Sequence, residues 1–408
     1  MRVKLGDIAS IKHGFAFPGE SICEDDNGIV LVTPGNFSIG GGFQEDKCKF
    51  YTGEVPRDYV LNPGDLIVTM TDLSKGIDTL GYGALVPFSD RIYLHNQRIG
   101  LVEIKSPSVD KGYLVRVLQT REYQRTIAGT SSGSTVHHTS PSKIESYSFE
   151  LPDLETQRRI AGVLSAYDEL IENNRKQTKL LEEAAQRLYK DWFVDLNFPG
   201  HETTPIHNGL PEGWKMGSLL DIAEVIRGCS YSSDEIAGGE KMLINLGNLA
   251  PFGGFRTGYE KPFSGKPRPD QAVAKGDVIM GLTEQATGLA GYAALLPSVP
   301  EGSVISADLV KLAPKDSVPS EFIYALLRFG RLSDLISPLA NGTKIKHLRP
   351  ESLPRAVALL PNVELMRRYA ECVGPLYDGI DTCQQQIAAV REARDRLLPK
   401  LMTSEIRV

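Results

Sequence analysis

Residues 5 to 190 of this chain return in a blurred copy between about 220 and 398. Leu5-Gly6-Asp7-Ile8-Ala9 recurs as Leu219-Leu220-Asp221-Ile222-Ala223, and Pro34-Gly35-Asn36-Phe37 as Leu246-Gly247-Asn248-Leu249. Asn62-Pro63-Gly64-Asp65-Leu66-Ile67-Val68 recurs as Ala274-Lys275-Gly276-Asp277-Val278-Ile279-Met280, and Leu151-Pro152-Asp153 as Leu360-Pro361-Asn362. The matches keep their order and nearly their register, so one fold is written twice. Two like units in one chain can offer two like surfaces to one ligand, related by an approximate two-fold axis.

A length of 408 residues exceeds one core and accommodates two domains with connecting elements. No stretch approaches the roughly 20 apolar residues of a membrane span, and Met1-Arg2-Val3-Lys4-Leu5 does not open a signal peptide, so the cytoplasm is the expected compartment. The five cysteines are scattered, and none pairs at the two-residue spacing of a zinc knuckle; they are expected reduced. A net charge of −6 argues mildly against nucleic acid, but charge averages over faces. Lys105, Lys111, Arg116, Arg121, Arg125 and Lys143 gather in one half, and Arg256, Lys261, Lys266, Arg268, Arg328, Arg331, Lys344, Lys346 and Arg349 in the other. From composition alone these remain readable as solvated faces.

Each repeat opens with short β-branched runs between Gly, Pro, Asn and Asp turns, such as Asp65–Met70 and Gly100–Ile104, echoed by Asp277–Met280 and Asp308–Leu312. Helical spacing of apolar residues follows at about 111 to 128 and 319 to 339. Each repeat then ends in a longer helical pattern. Ile160, Val163, Tyr167, Leu170, Leu181, Ala184 and Leu188 alternate in steps of three and four, with polar Asn174 and Gln177 within the seam. The second copy runs Tyr369, Val373, Leu376, Ile380, Cys383, Ile387, Val390 and Leu397, and Gly374-Pro375 and Gly379 are expected to kink or interrupt its first turns. Antiparallel pairing of these two helices buries both seams; the alternative is that each packs on its own domain. The expected fold class is therefore α+β, with two similar α/β domains separated by a two-helix antiparallel coiled coil and an internal pseudo-two-fold repeat. A rod of roughly 40 Å over about 27 residues is commensurate with the roughly 34 Å turn of B-DNA.

The joining segments carry more specific signals. Leu151-Pro152-Asp153-Leu154-Glu155-Thr156-Gln157-Arg158-Arg159-Ile160-Ala161, then Leu164-Ser165-Ala166-Tyr167-Asp168-Glu169-Leu170-Ile171, then Leu188-Tyr189-Lys190-Asp191-Trp192-Phe193-Val194-Asp195 closely resemble the central conserved region of type I restriction-modification specificity subunits. Leu210-Pro211-Glu212-Gly213-Trp214 resembles the family's lead-in to its second target-recognition domain, and Leu397-Leu398-Pro399-Lys400-Leu401-Met402-Thr403-Ser404-Glu405-Ile406 its C-terminal ending. The resemblance covers essentially the whole chain. It implies target-recognition domains at 1–150 and 213–359, coiled-coil arms at 151–194 and 360–408, and a linker at 195–212. It further implies a non-catalytic DNA-specificity subunit in which each domain binds one half of a bipartite double-stranded DNA target and the coiled coil sets the spacer. The arms, with Trp192 and Phe193 among their residues, would dock two modification subunits, which the motor-nuclease restriction subunits join. No cofactor is expected on this chain itself; S-adenosylmethionine, ATP and magnesium would sit on the partners.

The residues point independently away from catalysis. No Gly-x-Gly-x-x-Gly follows a strand, no Gly-Lys-Ser/Thr phosphate loop occurs, and Gly265-Lys266-Pro267 puts proline where a hydroxyl would meet magnesium. Asp90 with Glu103-Ile104-Lys105 has the look of a nuclease set, but the second repeat lacks it, and His137-His138 has no metal-ligating company. For DNA contact the best matched pair of loops is Gly133-Ser134-Thr135-Val136-His137-His138 and Gly342-Thr343-Lys344-Ile345-Lys346-His347, with Lys143 and Arg349 shortly after; glycine would let backbone approach phosphate. The alternative is a polar turn feeding the rod. Thr71, Asp72, Ser74 and Lys75, with Thr283, Glu284 and Gln285, form a second set, because Asp, Glu and Gln can pair with cytosine or adenine edges. Asn36 and Asn248 read as turn caps. A stand-alone duplicated DNA-binding regulator and a structural coiled-coil scaffold remain the competing readings.

Overall fold

The computed structural model describes every residue except Asp46, Lys75, Ala237 and Val408. The chain divides into two compact units, Met1–Glu172 with Ala388–Val408, and Asn173–Ile387.

In the first unit an antiparallel sheet runs in the order Ala9–His13, Ile99–Ile104, Leu66–Thr69, Gly83–Leu85. Leu66–Thr69 is buried along its whole length because period-two alternation sends its side chains into two cores. Leu66 and Val68 join Tyr113, Leu114 and Val117 on one side, and Ile67 joins Val30, Ala84 and Ile99 on the other. A second, mixed sheet holds Ile29–Val32 parallel to Ile92–His95. The other unit repeats the plan. Ala223–Arg227, Leu309–Pro314, Val278–Gly281 and Ala293–Leu295 form the matching sheet in the same order, with Val278 and Met280 facing one core and Ile279 the other. Its smaller sheet keeps the parallel pair, Lys241–Ile244 with Val304–Ile305.

The repeat extends to single braces. Asp65 Oδ2 accepts from Asn62 N at 2.8 Å and Asp277 Oδ2 from Ala274 N at 2.9 Å, each closing a turn whose glycine, Gly64 or Gly276, has positive φ. The buried Asn36 and Asn248 are the turn caps expected of them: their Oδ1 atoms accept from Thr33 N and Asn245 N at 2.8 and 3.0 Å. All five cysteines are free thiols. No helix of the described residues is long and apolar enough to cross a membrane.

Two long helices, Leu154–Tyr189 and Val363–Met402, carry the remaining structure. Within the first unit Asp168 accepts from Arg394 at 2.7 Å, and Leu401 shares a core with Ile160 and Leu164. Within the second, a Cβ on Gly379 would lie 3.0 Å from Leu181, and the rings of Tyr189 and Tyr369 are centred 6.0 Å apart. Partners step up one helix as they step down the other, which is antiparallel pairing. The expected interruption is not there. The second helix runs unbroken through Gly374, Pro375 and Gly379, because Pro375 is exposed and forfeits its backbone bond on the solvent side, while Tyr369, Val373 and Cys383 are buried on the packed side.

The phase of the first helix also differs from the predicted seam. Ile160, Leu164 and Ile171, then Asn174, Ala185, Tyr189 and Trp192, are buried; Leu170 is 46% exposed, and Gln177 and Ala184 are exposed. Val163, Tyr167, Leu181 and Leu188 are half-buried, as are Leu376, Ile380, Ile387, Val390 and Leu397. The shift has a cause: the helix serves its own repeat as well as the other helix. Ala161 lies against Gly112, where an added Cβ would be 3.1 Å away, and Arg116 donates to Ser165 Oγ at 3.3 Å. Three-four spacing alone cannot assign the face when two partners share it. Trp192 and Phe193, placed by sequence on the coiled coil, lie in a π-turn at Lys190–Val194 and enter the core of the second repeat. Phe193 is centred 5.3 Å from Phe322 and 6.0 Å from Trp214, so the turn anchors the end of the helix rather than extending the seam.

Candidate nucleic-acid interface

The two sets of loop residues singled out from sequence meet in each repeat. His137–His138 pairs antiparallel with Thr71–Asp72, and Lys346–His347 with Thr283–Glu284. These pairings join residues more than sixty positions apart, with the same register both times: the last histidine faces the threonine. His138 Nδ1 lies 3.1 Å from Thr71 Oγ1, and His347 Nδ1 lies 3.4 Å from Thr283 Oγ1.

Each loop is closed on itself by reciprocal backbone bonds. Ser132 N donates to His138 O at 3.0 Å and His138 N to Ser132 O at 2.9 Å; Asn341 and His347 exchange bonds of the same lengths. The next residue then ties the loop to the sheet, through Thr139 N to Met70 O at 3.0 Å and Leu348 N to Leu282 O at 2.7 Å. The glycines are required by this closure. Gly133 has φ +105 and a Cβ there would sit 2.0 Å from Val136 O; Gly342 has φ +152 and the equivalent distance to Ile345 O is 2.1 Å.

What the loops present differs between repeats. Ser134, Thr135 and His138 are exposed in the first, with His137 half-buried, whereas Thr343, Lys344, Lys346 and His347 are all exposed in the second, followed by exposed Arg349. Among the described residues no acidic side chain pairs with Lys344, Lys346 or Arg349, which leaves three cations on that face. Lys143 is occupied, its Nζ donating to Thr130 O. Arg116 and Arg328, counted from sequence among the clustered cations, point elsewhere: Arg116 pairs with Asp168 at 2.7 Å and Arg328 with Glu182 at 3.5 Å.

Asp72 and Glu284 are loop braces by geometry. Asp72 is buried, with Oδ1 accepting from Ser74 N at 2.6 Å and Oδ2 from Thr79 N, Thr79 Oγ1 and Leu80 N at 2.5, 2.8 and 3.0 Å. Glu284 accepts from Gly288 N, Leu289 N and Ala290 N at 3.0, 3.2 and 2.5 Å. Burial pushes the Asp72 carboxyl up, but the bonds from Ser74 and Thr79 outweigh it and hold the group below the usual carboxylate range. A carboxylate with its lone pairs so engaged has little left for a base edge. Thr71 and Thr283 are likewise buried, whereas Ser74 is half-buried and Gln285 exposed; Lys75 lies outside the described residues. Among the described residues no group of three or more His, Cys, Asp or Glu could hold a metal ion.

One exposed group on a neighbouring loop, Phe252, carries no local sequence signal; only the aligned repeat, with Gly40 in its place, marks it out.

Residues 1–183 match the family model described as the type I restriction modification DNA specificity domain. The chain is 26% identical over 336 residues to the type I restriction enzyme MjaIX specificity subunit of Methanocaldococcus jannaschii, covering 75% of this chain and 71% of that one. It is 22% identical to the MjaVIII specificity subunit of the same organism, covering 86% and 81%. Among solved structures, the type I restriction-modification S subunit from M. genitalium superposes with a TM-score of 0.57 at 15% identity, covering 98% of this chain and 95% of that chain, which is a likeness of fold.

Proposed function

We propose, on the premise that this chain belongs to the type I restriction-modification specificity family, that each of its two repeats reads one half of a bipartite double-stranded DNA target. The long helices set the unread gap and dock two modification subunits, which carry S-adenosylmethionine, while restriction subunits with ATP and magnesium complete the complex. The chain itself is the non-catalytic reader and works in the cytoplasm. Its domains are 1–150 and 213–359 for reading, 151–194 and 360–408 for the arms, and 195–212 as the linker.

One observation carries this reading. The same closed loop, tied to the end of the same strand pair, occurs in both repeats with different exposed side chains. A constant frame with variable contents suits sequence discrimination: polar groups meet base edges and Lys344, Lys346 and Arg349 meet phosphate. A target adenine must leave the stack for methylation, so the reader's task is register and identity.

The test is a domain exchange. Residues 1–150 are replaced by the corresponding domain of a relative, the chimera is co-expressed with its modification subunit, and methyladenine is mapped across the genome. One half of the methylated sequence should change and the other persist. Alteration of both halves, or of neither, would overturn the reading.

A further inference from the structure

The loop Leu249–Phe255 is the counterpart of Phe37–Phe43. Leu249 bridges Phe255 as Phe37 bridges Phe43, Ala250 N donates to Gly254 O at 2.9 Å, and Ser38 N donates to Gly42 O at 3.0 Å. Position for position, Phe252 then stands where the first repeat has Gly40. Gly40 has φ +88, a conformation glycine adopts freely; Phe252 is held at φ +63, which is unfavourable for a bulky side chain. The ring gains limited burial in return, since Phe252 is 60% exposed, packing against Gly288 and in a T-shaped contact with Tyr292 with centroids 5.4 Å apart. A strained backbone and a largely solvated aromatic are two costs at one residue, set against the modest return of one ring contact.

The residue is also fixed to the candidate reading surface. Phe252 N donates to Gly288 O at 2.8 Å, and Gly288 N donates to Glu284, whose strand partner is Lys346. A Cβ on Gly288 would lie 2.9 Å from Phe252 N, so the two loops are in direct contact. Phe252 is thus exposed on a loop packed against the one that follows exposed Gln285, next to the strand pair that carries Lys346 and His347. The matching loops of the first repeat expose Ile39 (75%) and Leu73 (60%), so an apolar side chain at the tip is common to both repeats.

We infer that Phe252 is an apolar wedge that enters the DNA stack beside the bases read by the second repeat, a specificity-determining contact that rests on the DNA-reading role proposed above. An exposed ring on a loop that adjoins a cation-bearing strand suits a nucleobase: the cations hold the phosphates while the ring takes the face of an unstacked base or parts a base step. Steps that unstack easily would then be preferred at that position, even without a hydrogen bond to their edges.

The test uses the full chain assembled with its modification subunits and a duplex carrying the target found by methylation mapping, with 2-aminopurine placed in turn along the half read by the second repeat. Wild type should give a rise in fluorescence at one step. Phe252→Ala should abolish that rise and weaken target binding about 5- to 150-fold, the range for one lost base–aromatic stack. Its melting temperature should be unchanged or higher, and Phe252→Trp should retain both signals. The double variant Lys344→Ala/Lys346→Ala separates the two layers. If it weakens binding while Phe252→Ala does not, the wedge is refuted and the reading role stands; if neither weakens binding, both fail. Loss of the modification subunit from the purified Phe252→Ala complex, with DNA binding by the intact fraction unchanged, would make Phe252 a protein contact and also overturn the inference.

Discussion

Replacing Asp72 separates a brace from a reader. Its carboxylate takes four bonds, three from backbone N–H groups at 2.5 to 3.0 Å and one from Thr79 Oγ1 at 2.8 Å. Asp72→Asn can turn its amide so that the remaining oxygen keeps the Thr79 and Leu80 bonds. Its NH2 group then meets Ser74 N–H, so one charge-assisted bond is lost and two donors face each other, a cost of about 2 kcal/mol. Asp72→Ala forfeits every bond and strands the backbone donors, at about 4 kcal/mol. Amide hydrogen exchange across residues 73 to 80 and urea denaturation measure both. The carboxyl also titrates below its ordinary value, so its stabilisation is complete above the unfolded pKa of about 4 and is lost as pH falls through the depressed folded one. Wild-type protection in this loop should therefore fall in acid, and Asp72→Asn should remove that dependence. Methylation mapping supplies the refutation: a changed base at one target position, with protection at Thr79 and Leu80 intact, would make Asp72 a base-reading residue.

Two further outcomes follow from the same geometry. Lys344→Ala and Lys346→Ala, changed singly, should each lower the slope of log binding constant against log salt by about 1, whereas Ser134→Ala in the corresponding loop should leave it unchanged; filter binding of the assembled complex across a salt series checks this. Inserting one heptad beside Gln177, and another opposite it near Cys383, adds about 10 Å to each helix, or about three base pairs. Mapped methylation should show the unread gap lengthened with both half-sequences unchanged, and an unaltered gap would remove the helices as its ruler.

The duplication was legible because part of its bracing is local: Asp65 Oδ2 and Asn36 Oδ1 each accept from a backbone N–H three residues away, and their copies Asp277 and Asn248 recur in the same strings. Both candidate loops of each repeat were also legible, but not their union, since nothing near Thr71 announces a partner at His138. The role of Asp72 was hidden for the same reason: an acid after a strand suits a base edge as well as a turn, and only the positions of Thr79 and Leu80 decide. The helical face was misphased because Ala161 and Leu164 answer to the first repeat's own core while Asp168 answers to Arg394. Pro375 suggested a break, yet the helix continues through it, with buried residues on its packed side.

The ring of backbone bonds from Ser132 to His138, and again from Asn341 to His347, closes without help from the side chains it encloses beyond its glycine. Ser-Thr-Val-His and Thr-Lys-Ile-Lys occupy the same frame, so substitution there is nearly uncoupled from folding. On the proposed reading role, such a chain would acquire a new preference by drift at a handful of loop positions while its architecture stays out of reach of the same mutations. Novelty in one repeat leaves the other untouched, and variants accumulate as combinations rather than one at a time.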